Sequence, residues 1–369
     1  MDGLENLSEV ERLKLLKAIR TACTSEDEFS KYIEQFAQGK DPAEVRRRVE
    51  GYFLEDEFAL LCFLNQRCSS ITPLGQSPVG NQSLKVPDYL VTFDTKSGEY
   101  SCFVEVKTTA KYETSKISNN MLASYKRFAS KFNLPLYFAS RIQLGDKGLW
   151  ILQSSEEFEK NGRSVSIENY TSTSGFALLD DFALTIITPF ELELQYSDTA
   201  MEEPIYHEGY GYLTGIVVHT DVGVKLACVQ SDNVAGSISY SSMPFLNIIF
   251  DRFSTDESSR RCEHGLTVTR RMSLGRMQFL SSLLVDVNKH ISSKDGAQDG
   301  MNASRFLARI ENGDDGYINR EKLLMLIHAI NLRAEDVISQ PLIGFGDFGE
   351  ESDRQRHLEA IFKTRKEDK

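Results

Sequence analysis

The sequence predicts an α/β protein: a mixed sheet flanked by helices, with a helical N-terminal extension, a strand-leaning middle and a helical C-terminal region. Three observations predict it. Apolar residues recur at helical spacing over the first fifty positions. A period of two then takes over in two segments joined by turn residues at 94–98. That hairpin is followed by an amphipathic helix and two further strand-length apolar runs.

The first helix is marked by Leu7, Val10, Leu13, Leu16 and Ile19, and a second opens at Ser25-Glu-Asp-Glu with serine as its cap. Asp41-Pro42 starts a third, with proline at the first helical position, and it runs on through Val49, Phe53, Leu60 and Leu64. Val86–Phe93 and Tyr100–Lys107 read as the two strands of an antiparallel hairpin, and Asp94-Thr-Lys-Ser-Gly98 supplies the turn. A helix over Asn120–Phe132 and strands over Leu136–Ile142 and Leu149–Leu152 complete the core.

Beyond residue 155 the chain leans to strands at Phe182–Thr188, Gly215–His219 and Val224–Val229. It then turns helical at Phe279–Val287, Ala303–Ile310 and Lys322–Ile330. Ser292–Gly300 reads as a loop, and the charged tail after Gly349 as a solvated end. Four regions follow: a helical extension at 1–50, the α/β core at 51–155, a strand-rich region at 156–255 and a helical region at 256–369.

With 41% apolar and 26% charged residues among 369, the composition is that of an ordinary globular protein. No apolar run is long enough for a membrane span, and the acidic N-terminus does not resemble a signal peptide. Cys23, Cys62, Cys68, Cys102, Cys228 and Cys262 are scattered, without a Cys-x-x-Cys pair. They read as reduced thiols of a cytoplasmic protein and offer no zinc spacing. A net charge of −12 weighs against nucleic-acid binding, yet residues 105–147 hold eight basic residues against three acidic ones.

One constellation carries chemistry. Pro87-Asp88 stands at the start of the first hairpin strand, and Glu105-Val106-Lys107 at the end of the second. Side chains alternate along a strand, so Glu105 and Lys107 share one face, expected to be open, while Val104 and Val106 enter the core. The hairpin brings Asp88 to the same face. Two carboxylates can hold Mg²⁺, which activates a water and offsets charge on a phosphate; the lysine can orient that water or stabilise the transition state. The bare spacing equally fits a surface hairpin with a solvated salt bridge.

In this setting the residues resemble the PD-(D/E)xK nuclease superfamily, of restriction-endonuclease-like fold, over roughly residues 50 to 155. The resemblance implies a metal held by Asp88, Glu105 and the Val106 backbone carbonyl, with Lys107 catalytic. Gly51-Tyr-Phe-Leu-Glu55 also looks like the first helix of archaeal Holliday-junction resolvases, whose glutamate supports the metal. Glu55 matches that position, with Glu57 as the alternative. A long insertion between Glu55 and Asp88, containing Pro73, Gly75, Pro78 and Gly80, departs from that pattern and reads as a flexible loop.

Downstream, Thr108, Lys111, Lys116, Lys126 and Arg127 are candidate phosphate contacts, although a solvated basic helix face accounts for them equally well. The expected activity is Mg²⁺-dependent hydrolysis of DNA, with Mn²⁺ able to substitute and RNA left open, in defence against foreign DNA or in repair. A homodimer or a partner protein is expected, and no membrane. The rival readings are an inactive nuclease-like DNA-binding or scaffold subunit and an unrelated interaction protein. Asp314-Asp-Gly-Tyr-Ile-Asn-Arg-Glu321 fails as a calcium loop, because Gly313 and Lys322 fall on ligand positions, and reads as a helix-start turn. Arg260-Arg261 and Arg270-Arg271 with Arg276 form a second basic cluster, open to nucleic acid, a protein partner or plain solvation.

Overall fold

The computed structural model describes residues 7–334 and 338–339, leaving aside 24, 38, 76–83, 96, 109–116, 145–146, 166–169, 171–172, 200–204, 208, 221–222, 230–242, 276, 294–305, 307–309, 311 and 314–315. Among the described residues, one compact unit holds those within Met1–Leu179 and Asn288–Tyr317, and another those within Asp180–Val287 and Ile318–Arg354.

Three helices open the first unit: α1 (Glu9–Ala22), α2 (Glu26–Ala37) and α3 (Pro42–Asn65). Each starts as its cap requires. Ser8 and Glu11 form a capping box, Ser25 Oγ accepts the Glu28 N–H at 3.2 Å, and Asp41 accepts the Ala43 N–H at 3.0 Å ahead of Pro42. Their apolar stripes meet in one cluster built on Leu13, Leu16, Phe29, Ile33, Phe36 and Val49.

A five-stranded sheet follows: β1 (Cys68–Pro73), β2 (Tyr89–Thr95), β3 (Gly98–Thr108), β4 (Leu136–Leu144) and β5 (Lys147–Ser154), in that spatial order. The pairs β1–β2, β2–β3 and β4–β5 are antiparallel, whereas β3 and β4 are parallel. A parallel neighbour needs a crossover, and α4 (Asn119–Phe132), capped by Ser118, provides it. Phe58 of α3 packs on Trp150 at 5.4 Å between ring centroids, while α4 covers the opposite face through Phe128 on Phe103 at 5.3 Å. Helix α5 (Ser155–Lys160) stacks Phe158 on Phe138 at 4.6 Å, and α6 (Ser174–Leu179) ends this stretch.

Two differences from the sequence reading arise here. The segment between Glu55 and Asp88 is not all loop: after α3 ends at Asn65, as the apolar spacing through Leu64 leads one to expect, β1 pairs along β2. The first hairpin strand begins at Tyr89 rather than Val86, since Pro87 has no N–H to give a ladder.

In the second unit β6 (Ala183–Ile186) is followed by β7 (Phe190–Ser197), β8 (Ile205–His207), β9 (Gly211–Thr220) and β10 (Gly223–Val229). Helix α7 (Met243–Phe253) leads into β11 (Ser254–Cys262), β12 (Gly265–Met272) and β13 (Met277–Phe279). After α8 (Leu280–Ser293) come α9 (Arg320–Ala334) and β14 (Ile338–Ser339). One sheet runs β10-β9-β7-β12-β11 with β8 beside β9, and a smaller one β13-β6-β14. The region 256–369, read as helical, therefore opens with the hairpin β11–β12. Its first strand, Ser-Thr-Asp-Glu-Ser-Ser-Arg-Arg-Cys, is an exposed edge with no apolar alternation to announce it. Asn319 caps α9 by accepting the Lys322 N–H at 2.9 Å, so the segment set aside as a calcium loop does lead into a helix; Asp314 and Asp315 lie outside the described residues.

Candidate functional site

Strands β2 and β3 place the first three residues. The ladder pairs Tyr89 with Val104, so Asp88, one residue earlier, falls opposite Glu105. Asp88 Oδ2 accepts the backbone N–H of Val106 at 2.8 Å, which fixes the carboxylate against the neighbouring strand. The Val106 N–H is thus the backbone group of that residue seen to meet the site.

Glu105 and Lys107 share a strand face, but that face is not open. Glu105 is only 3% exposed, because α4 lies over it. The parallel pair β3–β4 needs a crossover, and that crossover helix, α4, packs on the face that carries Glu105. Glu105 Oε1 accepts from both Lys107 Nζ and the Tyr125 hydroxyl of α4, while Oε2 is buried with no hydrogen-bond partner among the described residues. Lys107, half-buried, also sits 5.8 Å from the centre of the Tyr125 ring.

Glu55 of α3 joins this group. Burial pushes its carboxyl up to about 8, the nearby charges of Asp88 and Glu105 add to the rise, and Lys17 opposes it. Glu105 is raised to about 7, by burial and then by Asp88, against the pull of Lys107 and Tyr125. For Lys107, burial works against the ammonium, yet Glu105 and Asp88 outweigh it and hold the pKa above its usual value.

Glu57, the alternative for this role, points elsewhere. Two residues along a helix turn about 200°, which puts Glu55 and Glu57 on nearly opposite sides of α3. Glu57 accepts from Arg141 Nε at 2.8 Å, Trp150 Nε1 at 3.0 Å and Lys289 Nζ at 2.5 Å. Burial would raise its pKa, but Lys289 and Arg141 hold it below the ordinary value.

Two members of the site were not read from the sequence. Tyr125 lies on the buried stripe of α4 with Leu122 and Ala129, and a stripe of that kind reads as core. The available signal was its hydroxyl, because a buried phenol needs a hydrogen-bond partner. Lys17 of α1 pairs with Asp56 at 2.7 Å, next to Glu55, and lies about 6 Å from the Tyr52 and Phe53 rings. Nothing local in the sequence brings residue 17 to residue 56.

The candidate phosphate contacts do not gather at this centre. Lys126 Nζ pairs with Glu159 of α5 at 2.6 Å, and Arg127 is exposed on α4. Thr108 closes β3, and Lys111 and Lys116 lie outside the described residues. In the second basic cluster, Arg270 pairs with Glu257 and Asp251, and Arg271 with Glu191.

Glu55, Asp56, Asp88 and Glu105 face Lys17 and Lys107, a formal deficit of two positive charges that one divalent cation matches. Among the described residues, however, no three Asp, Glu, His or Cys side chains are already spaced as a metal cage. Glu105 Oε1 is held by Lys107 and Tyr125, so a cation here would find Oε2 first. Among the described residues no helix is long and apolar enough to cross a membrane, and Cys23, Cys62, Cys68, Cys102 and Cys262 are free thiols. The chain matches no protein-family model and no curated protein.

Proposed function

We propose that this chain is a metal-dependent nuclease that hydrolyses phosphodiester bonds of DNA, in defence against foreign DNA or in repair. Mg²⁺ is the expected metal, with Mn²⁺ as a substitute. The observation that carries the reading is the convergence of Asp88, Glu105 and Lys107 on adjoining strands with Glu55 beside them.

The residues divide the work. Asp88, aimed by the Val106 N–H, and the unpartnered Oε2 of Glu105 would hold the metal, with Glu55 supporting it. A bound Mg²⁺ supplies Lewis acidity and lowers the pKa of a coordinated water. Lys107 is charged and within reach of Glu105; its ammonium can move to a phosphate oxygen and stabilise the charge that develops in the transition state. Tyr125 would keep Glu105 oriented while the lysine moves.

The test is incubation with linear, circular and single-stranded DNA and with RNA, in Mg²⁺, Mn²⁺ or chelator. Metal-dependent cleavage that is lost in Asp88→Asn, Glu105→Gln and Lys107→Met is the expected result. Cleavage that survives all three substitutions overturns the assignment. A second reading, an inactive nuclease-like DNA-binding or scaffold subunit, is favoured by the engagement of Glu105 Oε1 with Lys107 and by the lack of a ready-made metal cage among the described residues. It predicts DNA binding without cleavage in any metal.

A further inference from the structure

Three buried side chains on neighbouring strands carry polar atoms with no hydrogen-bond partner among the described residues: Glu105 Oε2 on β3, Ser140 Oγ on β4, and both Oε1 and Nε2 of Gln153 on β5. They share one face of the sheet. Across β3 and β4 the register sets Glu105 beside Phe138 and Lys107 beside Ser140. Across β4 and β5 it sets Phe138 beside Gln153 and Ser140 beside Ile151. Ser140 is thus the diagonal neighbour of both Glu105 and Gln153.

Diagonal neighbours in a sheet stand roughly 7–8 Å apart at the backbone. That is within reach of long side chains, yet Glu105 Oε2, Ser140 Oγ and the Gln153 amide make no direct bond among the described residues, and a water can bridge polar ends left apart in this way. Helices α4 and α5 cover this face through Tyr125 and Phe158, both packed on Phe138. Ser140 and Gln153 are 0% exposed. Native proteins seldom leave a buried amide with neither its donor nor its acceptor used; a protein partner or an ordered water serves it.

We infer that ordered water occupies the seam between the sheet and helices α4 and α5. It bonds to Gln153 and Ser140 and ends at Glu105 Oε2, so that the acidic centre is hydrated from inside the fold. The inference stands on the unsatisfied groups and does not depend on the nuclease reading.

The experiment uses the full chain in chelator, with no cleavage scored. In ¹⁵N-labelled protein, the Gln153 side-chain amide protons should show cross-peaks to slowly exchanging water. The same cross-peaks should persist in Ser140→Ala, which lacks the hydroxyl that could relay exchange. Gln153→Met and Ser140→Ala should each lower the thermal midpoint by about 2–4 °C or more, since the bound water loses a partner. Absence of the Gln153 water cross-peak overturns the inference. So does an unchanged or raised midpoint in both variants, which is what apolar replacement of orphaned groups in a dry seam produces.

Discussion

Tyr125 donates its hydroxyl to the same oxygen of Glu105 that Lys107 holds. One buried carboxylate oxygen therefore takes a neutral donor from α4 and a charged donor from its own strand. The other oxygen is left for whatever enters the centre.

Removing the neutral donor tests that division. Tyr125→Phe keeps the ring packed on Phe138 and deletes one hydrogen bond to a charged group. The expected loss is about 1.5–3 kcal/mol of stability by urea denaturation in chelator. In a cleavage assay the rate should fall while Lys107 remains required; a Tyr125→Phe protein as stable as the parent contradicts the contact.

The two glutamates of α3 should separate by phenotype. Glu55→Gln should weaken Mn²⁺ binding, read by calorimetry, with little loss of stability, because its burial opposes its charge. Lys289→Met should cost about 1.5–3 kcal/mol, since the half-buried lysine is lost while Arg141 and Trp150 still hold Glu57, and leave the metal affinity within a few-fold of the parent. Equal effects of the two changes on metal binding would remove Glu55 from the site.

Stability in chelator should fall as pH rises through neutrality. Glu105 and Glu55 ionise near 7 and 8 in the folded chain, against an ordinary 4.5. The folded state therefore binds protons more tightly, and stability is lost as pH climbs from about 4.5 to about 8. A divalent cation displaces those protons, so the rise in thermal midpoint on adding Mg²⁺ or Mn²⁺ should be larger at pH 8 than at pH 6. Equal shifts at both pH values in the parent, or undiminished shifts in an Asp88→Asn, Glu105→Gln double variant, count against the centre as the binding place.

Glu57 works with the opposite sign. Its folded pKa lies below the ordinary 4.5, so its contribution is present above that value and is lost as the pH falls through the folded one. Acid unfolding of the parent and of Glu57→Gln should therefore diverge above pH 4.5 and converge in acid. Parallel curves across that range would show that the carboxylate contributes nothing.

The hairpin and its three candidate residues were legible because β2 alternates, the turn residues at 94–98 mark its end, and β3 follows directly in the chain. The three N-terminal helices were legible because each carries its cap in sequence. Strand β1, with six residues of mixed polarity, four of them exposed, had no pattern to show. Glu55 fits the spacing of the motif with Glu57 as its alternative, and the cations that surround Glu57 set the two apart. Tyr125 was hidden in an apolar stripe, and Lys17 was hidden by distance along the chain. The open face expected for Glu105 failed because strand alternation says which residues share a side, not what covers that side.

Glu57 also sets an order of events during synthesis. Its third partner, Lys289, lies 232 residues downstream, in the segment Asn288–Tyr317 that belongs to the same unit as Glu57. Everything from Asp180 to Val287 must leave the ribosome before that ammonium exists. Until then the nascent chain carries a carboxylate among apolar neighbours with Arg141 as its cationic partner. Nascent chains halted before residue 288 should accordingly resist a protease less well than those released past Tyr317, even though every strand of the five-stranded sheet has by then been made.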